Sequence, residues 1–132
     1  MNNFLHRLLK DQRGASAIEF ALSATILIVL LIGLVQVGML FMANAGLQHA
    51  VGEGARLATI SPTPSDSAII ARINAKRFGL DSANVTGPTI SHGTDNGAPY
   101  AQVTMSYSTQ LDLIFFTTPP VTLTETRRAF TY

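Results

Sequence analysis

Residues 20–43, which read FALSATILIVLLIGLVQVGMLFMA, decide the architecture of this chain. These 24 residues contain no charged side chain. As an α-helix they would extend about 36 Å, which is enough to cross a hydrocarbon core of about 30 Å with some tilt. A soluble core large enough to bury such a helix would need more residues than the rest of the chain supplies. The stretch therefore predicts a transmembrane helix.

The composition of the whole chain fits one membrane segment and one small domain. The chain has 132 residues, of which 47% are hydrophobic and 13% are charged, whereas soluble domains carry about 25% charged residues. In the segment 14–55 the only charged residues are Glu19 and Glu53. This pattern argues against a cytosolic enzyme, a disordered protein and a multidomain protein. The net charge of +1 indicates no nucleic-acid partner, and the chain contains no cysteine for a disulfide.

The charges that flank the apolar stretch predict its orientation. Residues 1–14 contain three cations and one acid, for a net charge of +2, and no further cation occurs before Arg56. Because positively charged flanks remain in the cytoplasm, we expect residues 1–14 to form a basic cytoplasmic leader. Residues 15–57 should form one long helix, and residues 58–132 a domain on the other side of the membrane.

A cleaved secretory signal is the alternative to a retained anchor. The sequence Ala43-Asn44-Ala45 resembles a small-residue cleavage site, and cleavage after Ala45 would release the domain. The apolar region of a signal peptide is only about 7–15 residues long. The longer stretch in this chain therefore favours an anchor that is retained.

A short motif precedes the apolar stretch. Residues 13–20 read RGASAIEF, so that an acid comes five residues after a glycine and an aromatic residue follows that acid. This motif resembles the processing site of type IV pilin-like proteins, most of all in the tight-adherence (Tad) branch. The resemblance implies that a prepilin peptidase cleaves between Gly14 and Ala15, and that Glu19, followed by Phe20, becomes the fifth residue of the mature chain.

The chemistry of this motif can be argued from its residues. Gly14 has no Cβ, so a protease can approach its backbone closely. Cleavage would place a cationic amine on Ala15 at a helix N-terminus, where the macrodipole disfavours positive charge. The carboxylate of Glu19 can offset that charge, within the chain or on a neighbouring subunit. The alternative is that Glu19 lies at the lipid headgroups as an ordinary first-turn acid.

A second motif follows the apolar stretch. Residues 52–56 read GEGAR and resemble a run that TadE- and TadG-like minor pseudopilins often carry just beyond the membrane. Glu53 and Arg56 are an i, i+3 pair that stabilises a helix by only about 0.2–0.5 kcal/mol when exposed. They form either a structural ion pair or an ordinary solvated surface pair.

Small residues recur at a spacing of four on the long helix. Gly46, Ala50 and Gly54 share one face, and Ala17 and Ala21 repeat the spacing near the other end. Small residues at this spacing allow another helix to approach closely. The alternative is that the glycines loosen the helix, since each weakens it by about 1 kcal/mol.

The rest of the chain predicts one short helix and three strands. Ser65 can cap the helix and Gly79 can end it. Residues 85–90 form a weak strand, residues 91–99 are rich in turn formers, and the segments Tyr100–Gln110 and Val121–Phe130 alternate as half-buried strands do. The predicted fold is therefore α+β: a long N-terminal transmembrane helix, then a small extracytoplasmic domain with one short helix and a three-stranded antiparallel sheet.

Residues 111–116, which read LDLIFF, form a compact apolar cluster between the second and third predicted strands. An exposed cluster of this kind is typical of a protein contact or a membrane-touching tip. We expect it instead to fold onto the small core of the domain.

Motifs for catalysis are lacking in the sequence. The three histidines, His6, His49 and His92, have no metal-ligand spacing. The chain contains no nucleophile elbow, no Ser-x-x-Lys motif and no glycine-rich phosphate loop. We therefore predict no enzymatic activity, no metal, no cofactor and no small-molecule substrate.

Together these features predict a structural or assembly component, a minor pseudopilin, of a Tad-type pilus. The resemblance implies a single-pass protein of the bacterial inner membrane, with its domain in the periplasm. Its implied partners are prepilin peptidase, other Tad pilins and pseudopilins, assembly-platform proteins and the lipid bilayer. The alternative is a membrane-anchored extracytoplasmic binding or scaffold module that is never processed.

Overall fold

The computed structural model describes residues 13–131, so most of the predicted leader lies outside the described residues. The helices and strands, in chain order, are α1 (Arg13–Ala58), α2 (Asp66–Lys76), β1 (Val85–Asp95), β2 (Ala98–Thr109) and β3 (Val121–Phe130). The strands form one antiparallel sheet in the order β1-β2-β3. This arrangement confirms the predicted α+β fold.

The long helix α1 is bare in its first half and covered in its second. Its candidate membrane-spanning window is only 6% buried, so α1 is not the core helix of a soluble domain. From Ala43 onward one face is buried at the i, i+3 and i+4 spacing of a helix. The residues of this buried stripe are Ala43, Gly46, Leu47, Ala50, Val51, Gly54 and Ala58.

The sheet covers this stripe with one of its faces. Alternate residues of β2, from Ala101 to Tyr107, are buried, as the sequence pattern predicts. They share one apolar core with Leu47 of α1 and with Ile69 and Ile73 of α2. Burying each large apolar side chain contributes about 1.5–3 kcal/mol, so α1, α2 and the sheet depend on the same core for their stability.

The opposite face of the sheet is polar. Three pairs of hydroxyl groups join β2 to β3 across this face, with oxygen–oxygen distances of 2.9–3.1 Å. The pairs are Thr104–Thr126, Ser106–Thr124 and Ser108–Thr122. The sheet is therefore one-sided, with a solvated face directed away from α1.

The connection between β1 and β2 differs from the prediction. Residues 91–99 were expected to be a turn-rich segment, but β1 continues to Asp95 and only Asn96 and Gly97 form the turn. Their φ angles of 52° and 83° are those of a type I′ hairpin. An Asn-Gly pair is the strongest short-range signal for this turn, so the sequence contained the correct location.

The short helix α2 has the predicted start, but it ends before the predicted stop at Gly79 because the backbone is already extended at Arg77. The Ser65 hydroxyl caps it by accepting from the backbone N–H of Ala68 at 3.4 Å. The helix ends at Lys76, and Gly79 adopts a φ of 66° just beyond it. His92 of β1 lies 2.9 Å from the Asp66 carboxylate, which joins the start of α2 to the sheet.

Candidate functional site

The predicted processing site lies in the first turn of α1. Gly14 is exposed, and a Cβ added to it would meet no atom within 4 Å. The space around Gly14 is therefore open on the side that its missing side chain would occupy.

The acid of the motif is exposed beside large apolar side chains. Glu19 is exposed and forms no ion pair with any residue in the segment 13–131. Its neighbours Ile18 and Phe20 are 65% and 76% exposed. Because α1 is continuous, Glu19 and Ala15 share one helix face four residues apart, a rise of about 6 Å.

The small residues on α1 have two different environments. A Cβ on Gly46 would lie 1.8 Å from the carbonyl oxygen of Phe78, and one on Gly54 would lie 2.4 Å from Cγ1 of Ile73. Ala50, on the same face, is fully buried. These three residues therefore face the domain of their own chain. The other two predicted packing residues, Ala17 and Ala21, are exposed in the first half of α1.

The acid of the second motif contacts two cations. Oε1 of Glu53 lies 3.5 Å from Nε of Arg56, and Oε2 lies 2.7 Å from Nη2 of Arg72. The hydrogen bond from Arg72 holds the pKa of Glu53 below its ordinary value, and the positive charge of Arg56 acts in the same direction. Desolvation opposes both effects. Because Arg72 belongs to α2, the carboxylate joins the two helices.

The partner Arg72 was not predicted from the sequence. Sequence spacing relates Glu53 only to Arg56, because both belong to one helix. Arg72 is adjacent to Ile73, which is buried against Gly54 of α1. The packing of α2 on α1 therefore brings Arg72 to Glu53, and no local pattern could have identified this contact.

The LDLIFF segment is attached to the membrane-facing part of α1. The Gln36 side chain accepts a hydrogen bond from the backbone N–H of Asp112 at 2.6 Å and donates one to the Asp112 carbonyl. Ile114, Phe115 and Phe116 are 54%, 70% and 60% exposed. The prediction that this segment folds onto the core is therefore wrong for these three residues.

The histidines described by the structure lie apart. His49 contacts the ring of Phe78, with 5.8 Å between ring centroids, and His92 pairs with Asp66. Within residues 13–131, no group of three or more histidine and acidic side chains is arranged to hold a metal ion. The two described histidines therefore take part in separate contacts, one on α1 and one on β1.

These features define a class of protein. One long apolar helix, bare in its first half, carries a small α+β domain on its second half, as in a single-pass membrane-anchored protein. The family model of TadE-like proteins matches residues 14–56. Over this segment the chain is TadE-like, which confirms the resemblance inferred from its motifs.

The matched segment begins at Gly14 and ends at Arg56, so it contains the second motif and all of the first except Arg13. It is less than half of the chain, so the match shows what this segment is similar to. No curated protein and no solved structure matches the chain significantly. The domain after residue 58 is therefore interpreted from its own geometry.

Proposed function

We propose that this protein is a minor pseudopilin of a Tad-type pilus. Prepilin peptidase removes residues 1–14, and the first half of α1 then assembles with the helices of other pilins and with assembly-platform proteins. The observation that supports this proposal is the bare apolar surface of α1, which carries one exposed carboxylate within a TadE-like segment. The protein is anchored in the bacterial inner membrane, with its N-terminus in the cytoplasm and its domain in the periplasm.

The processing step requires an open backbone at the first turn of α1. Water adds across the Gly14–Ala15 peptide bond, which leaves a carboxylate on Gly14 and an amine on Ala15. The open space around Gly14 allows a protease to approach this bond.

The new amine supplies the cation that Glu19 lacks among the described residues. At neutral pH an α-amine is largely protonated, and an unpaired carboxylate at a membrane is unfavourable. Pairing Glu19 with the Ala15 amine, of the same subunit or of a neighbour, removes both unfavourable charges from the apolar surroundings. Processing therefore provides a partner for the Glu19 carboxylate close to the N-terminus of the mature chain.

Cleavage is tested by co-expressing the chain with its prepilin peptidase and sequencing the N-terminus of the product. We expect a mature chain that starts at Ala15 and a Gly14→Leu variant that keeps its leader. Gly38→Leu is the matched control, because a Cβ at Gly38 also meets no atom within 4 Å. A different start, or equal processing of the two variants, would contradict the proposal.

The role of Glu19 is tested separately from cleavage. Glu19→Gln removes the charge at nearly constant size, so we expect normal membrane insertion and processing but strongly reduced pilus assembly. Glu19→Asp keeps a carboxylate and should recover part of the assembly. Normal piliation of the Glu19→Gln strain would remove this role, and a leader that is never cleaved would favour the unprocessed membrane-anchored module instead.

A further inference from the structure

We propose that the loop 111–118 is a second membrane contact of this protein. Its apolar tip, Ile114–Phe116, inserts into the outer leaflet of the bilayer that α1 crosses. This contact sets the depth of α1 in the membrane and places the bilayer boundary near Gln36. The inference concerns the anchored protein and stands apart from the proposed role in pilus assembly.

The first observation is the attachment of the loop to α1. The Gln36 amide forms two hydrogen bonds with the backbone of Asp112, one as acceptor and one as donor. One turn earlier on α1, a Cβ at Gly33 would lie 3.5 Å from Cδ2 of Leu113. The loop is therefore held by a polar pair and by an apolar contact beside it.

The second observation is the direction of the loop along α1. Leu111 lines a cleft with Met39 and Leu40, Asp112 bonds to Gln36, and Leu113 packs at Gly33. Successive residues of the loop thus approach the membrane-facing end of α1. Leu113, the residue before the tip, reaches the level of Gly33, about 4.5 Å beyond Gln36 along the helix axis.

The third observation is that three consecutive N–H groups, those of Leu113, Ile114 and Phe115, are hydrogen-bonded within the loop. The N–H of Leu113 donates to the carbonyl of Phe116, and that of Phe115 donates to the carbonyl of Leu113, both at 2.9 Å. The N–H of Ile114 donates to the Asp112 carboxylate at 3.1 Å. Lipid offers no hydrogen-bond partner, so each of these internal bonds lowers the free-energy cost of inserting the loop.

The tip is also held in an unfavourable backbone conformation. Ile114 has a φ of 73°, a value that is rare for a β-branched residue, and it lies at the centre of a tight three-residue turn. Strained residues of this kind persist only when the surrounding structure holds them in place, and they are concentrated at functional sites. In this loop the turn exposes Ile114, Phe115 and Phe116 together.

The bilayer is the occupant that fits this location. The part of α1 next to Gly33 also exposes large apolar side chains, among them Leu34 and Val35. A boundary at Gln36 and a hydrocarbon core of about 30 Å give a span of about 20 residues, from Ser16 to Gln36. Glu19 lies in this span, three residues from its N-terminal end, and is the only charged residue in it.

The span 20–43 inferred from sequence hydropathy places the boundary elsewhere. Residues Thr109 and Gln110, at the end of β2, line the same cleft as Gln36 and Ala43. A boundary at Ala43 would bury the Asp112 carboxylate about 10 Å below the surface, where charged groups are strongly disfavoured. A boundary at Gln36 keeps the sheet in water and places only the apolar tip in lipid.

The test uses the absence of tryptophan from the sequence. The variant Phe115→Trp provides one fluorophore at the tip, and Phe116→Trp is a second variant in case the first is poorly folded. Phe130→Trp is the matched control, because Phe130 is 45% exposed at the far end of β3. Each full-length variant is reconstituted in phosphatidylcholine–phosphatidylglycerol vesicles, with or without bromine on the acyl chains.

We expect severalfold stronger quenching by brominated lipid for the tip variants than for Phe130→Trp, together with emission at shorter wavelength. Quenching should be strongest with bromine near the headgroup, because interfacial insertion reaches only about 5–10 Å. Equal quenching of tip and control variants would overturn the proposal. Short-wavelength emission without quenching would also overturn it, because the tip would then contact a second copy of the chain.

Discussion

Replacing Gly46 with alanine should weaken the packing of the domain on α1. A Cβ at this position would lie 1.8 Å from the carbonyl oxygen of Phe78 and 2.9 Å from its carbonyl carbon. Both atoms belong to the backbone, so no change of side-chain rotamer can relieve the overlap. The segment that follows α2, which includes Phe78 and Gly79, therefore has to move away from α1.

The magnitude follows from two opposing effects. Overpacking a well-packed site costs about 1–3 kcal/mol, and an overlap with backbone belongs at the upper end of that range. Alanine strengthens the interior of a helix by about 1 kcal/mol relative to glycine. We therefore expect Gly46→Ala to lower the free energy of unfolding of the domain by about 2 kcal/mol.

Gly52→Ala is the matched control for this experiment. Gly52 lies in the same helix, but a Cβ there would meet no atom within 4 Å. Only the gain in helix propensity remains, so this variant should be more stable than the wild type by up to about 1 kcal/mol. The two identical substitutions are thus expected to change stability in opposite directions.

The assay is urea-dependent proteolysis of the full chain in detergent micelles, with cleavage inside residues 58–131 as the readout. The apolar half of α1 remains in the micelle, so the transition reports the domain and its attachment to α1. If Gly46→Ala proved as stable as Gly52→Ala, the backbone of Phe78 could not lie as close to Gly46 as the structure places it.

Two further predictions concern the domain. The pKa of Glu53 is lowered by Arg72, so the stabilisation from this contact is present above the ordinary value of 4.5 and is lost as the pH falls below it. Acid therefore destabilises the wild type partly through Glu53, and Arg72→Met should remove this part of the pH dependence. Arg56→Met should keep most of it. Urea titrations at several pH values measure the difference. Gly97→Ala should destabilise the domain by about 1–2 kcal/mol in the same assay, because Gly97 has a φ of 83°. A variant as stable as the wild type would argue against the type I′ turn.

Much of the fold could be predicted because its signals are local. The cap at Ser65 and the alternation in β2 and β3 depend on residues that are neighbours in sequence, and both agree with the structure. The error at residues 91–99 had a local cause as well. Several turn-forming residues in that segment obscured the one pair, Asn96-Gly97, that forms the hairpin.

The candidate functional residues divide in the same way. The motif around Gly14 and Glu19 is contiguous, so it was visible in the sequence and agrees with the extent of the family match. The attachment of the LDLIFF loop was not visible, because Gln36 and Asp112 are 76 positions apart. No periodicity relates two residues at that separation.

The sequence by itself determined the long helix, its apolar surface and the TadE-like motifs. Helix formation and hydropathy depend on side chains within a few turns of one another. In a membrane, a stretch of 24 uncharged residues satisfies its backbone hydrogen bonds as a single spanning helix. Only the tertiary structure decided which half of α1 the domain covers, that Arg72 contacts Glu53, and that the tip of the 111–118 loop stays exposed. These outcomes depend on how the sheet and α2 pack against α1, because close packing brings together residues that no local pattern relates.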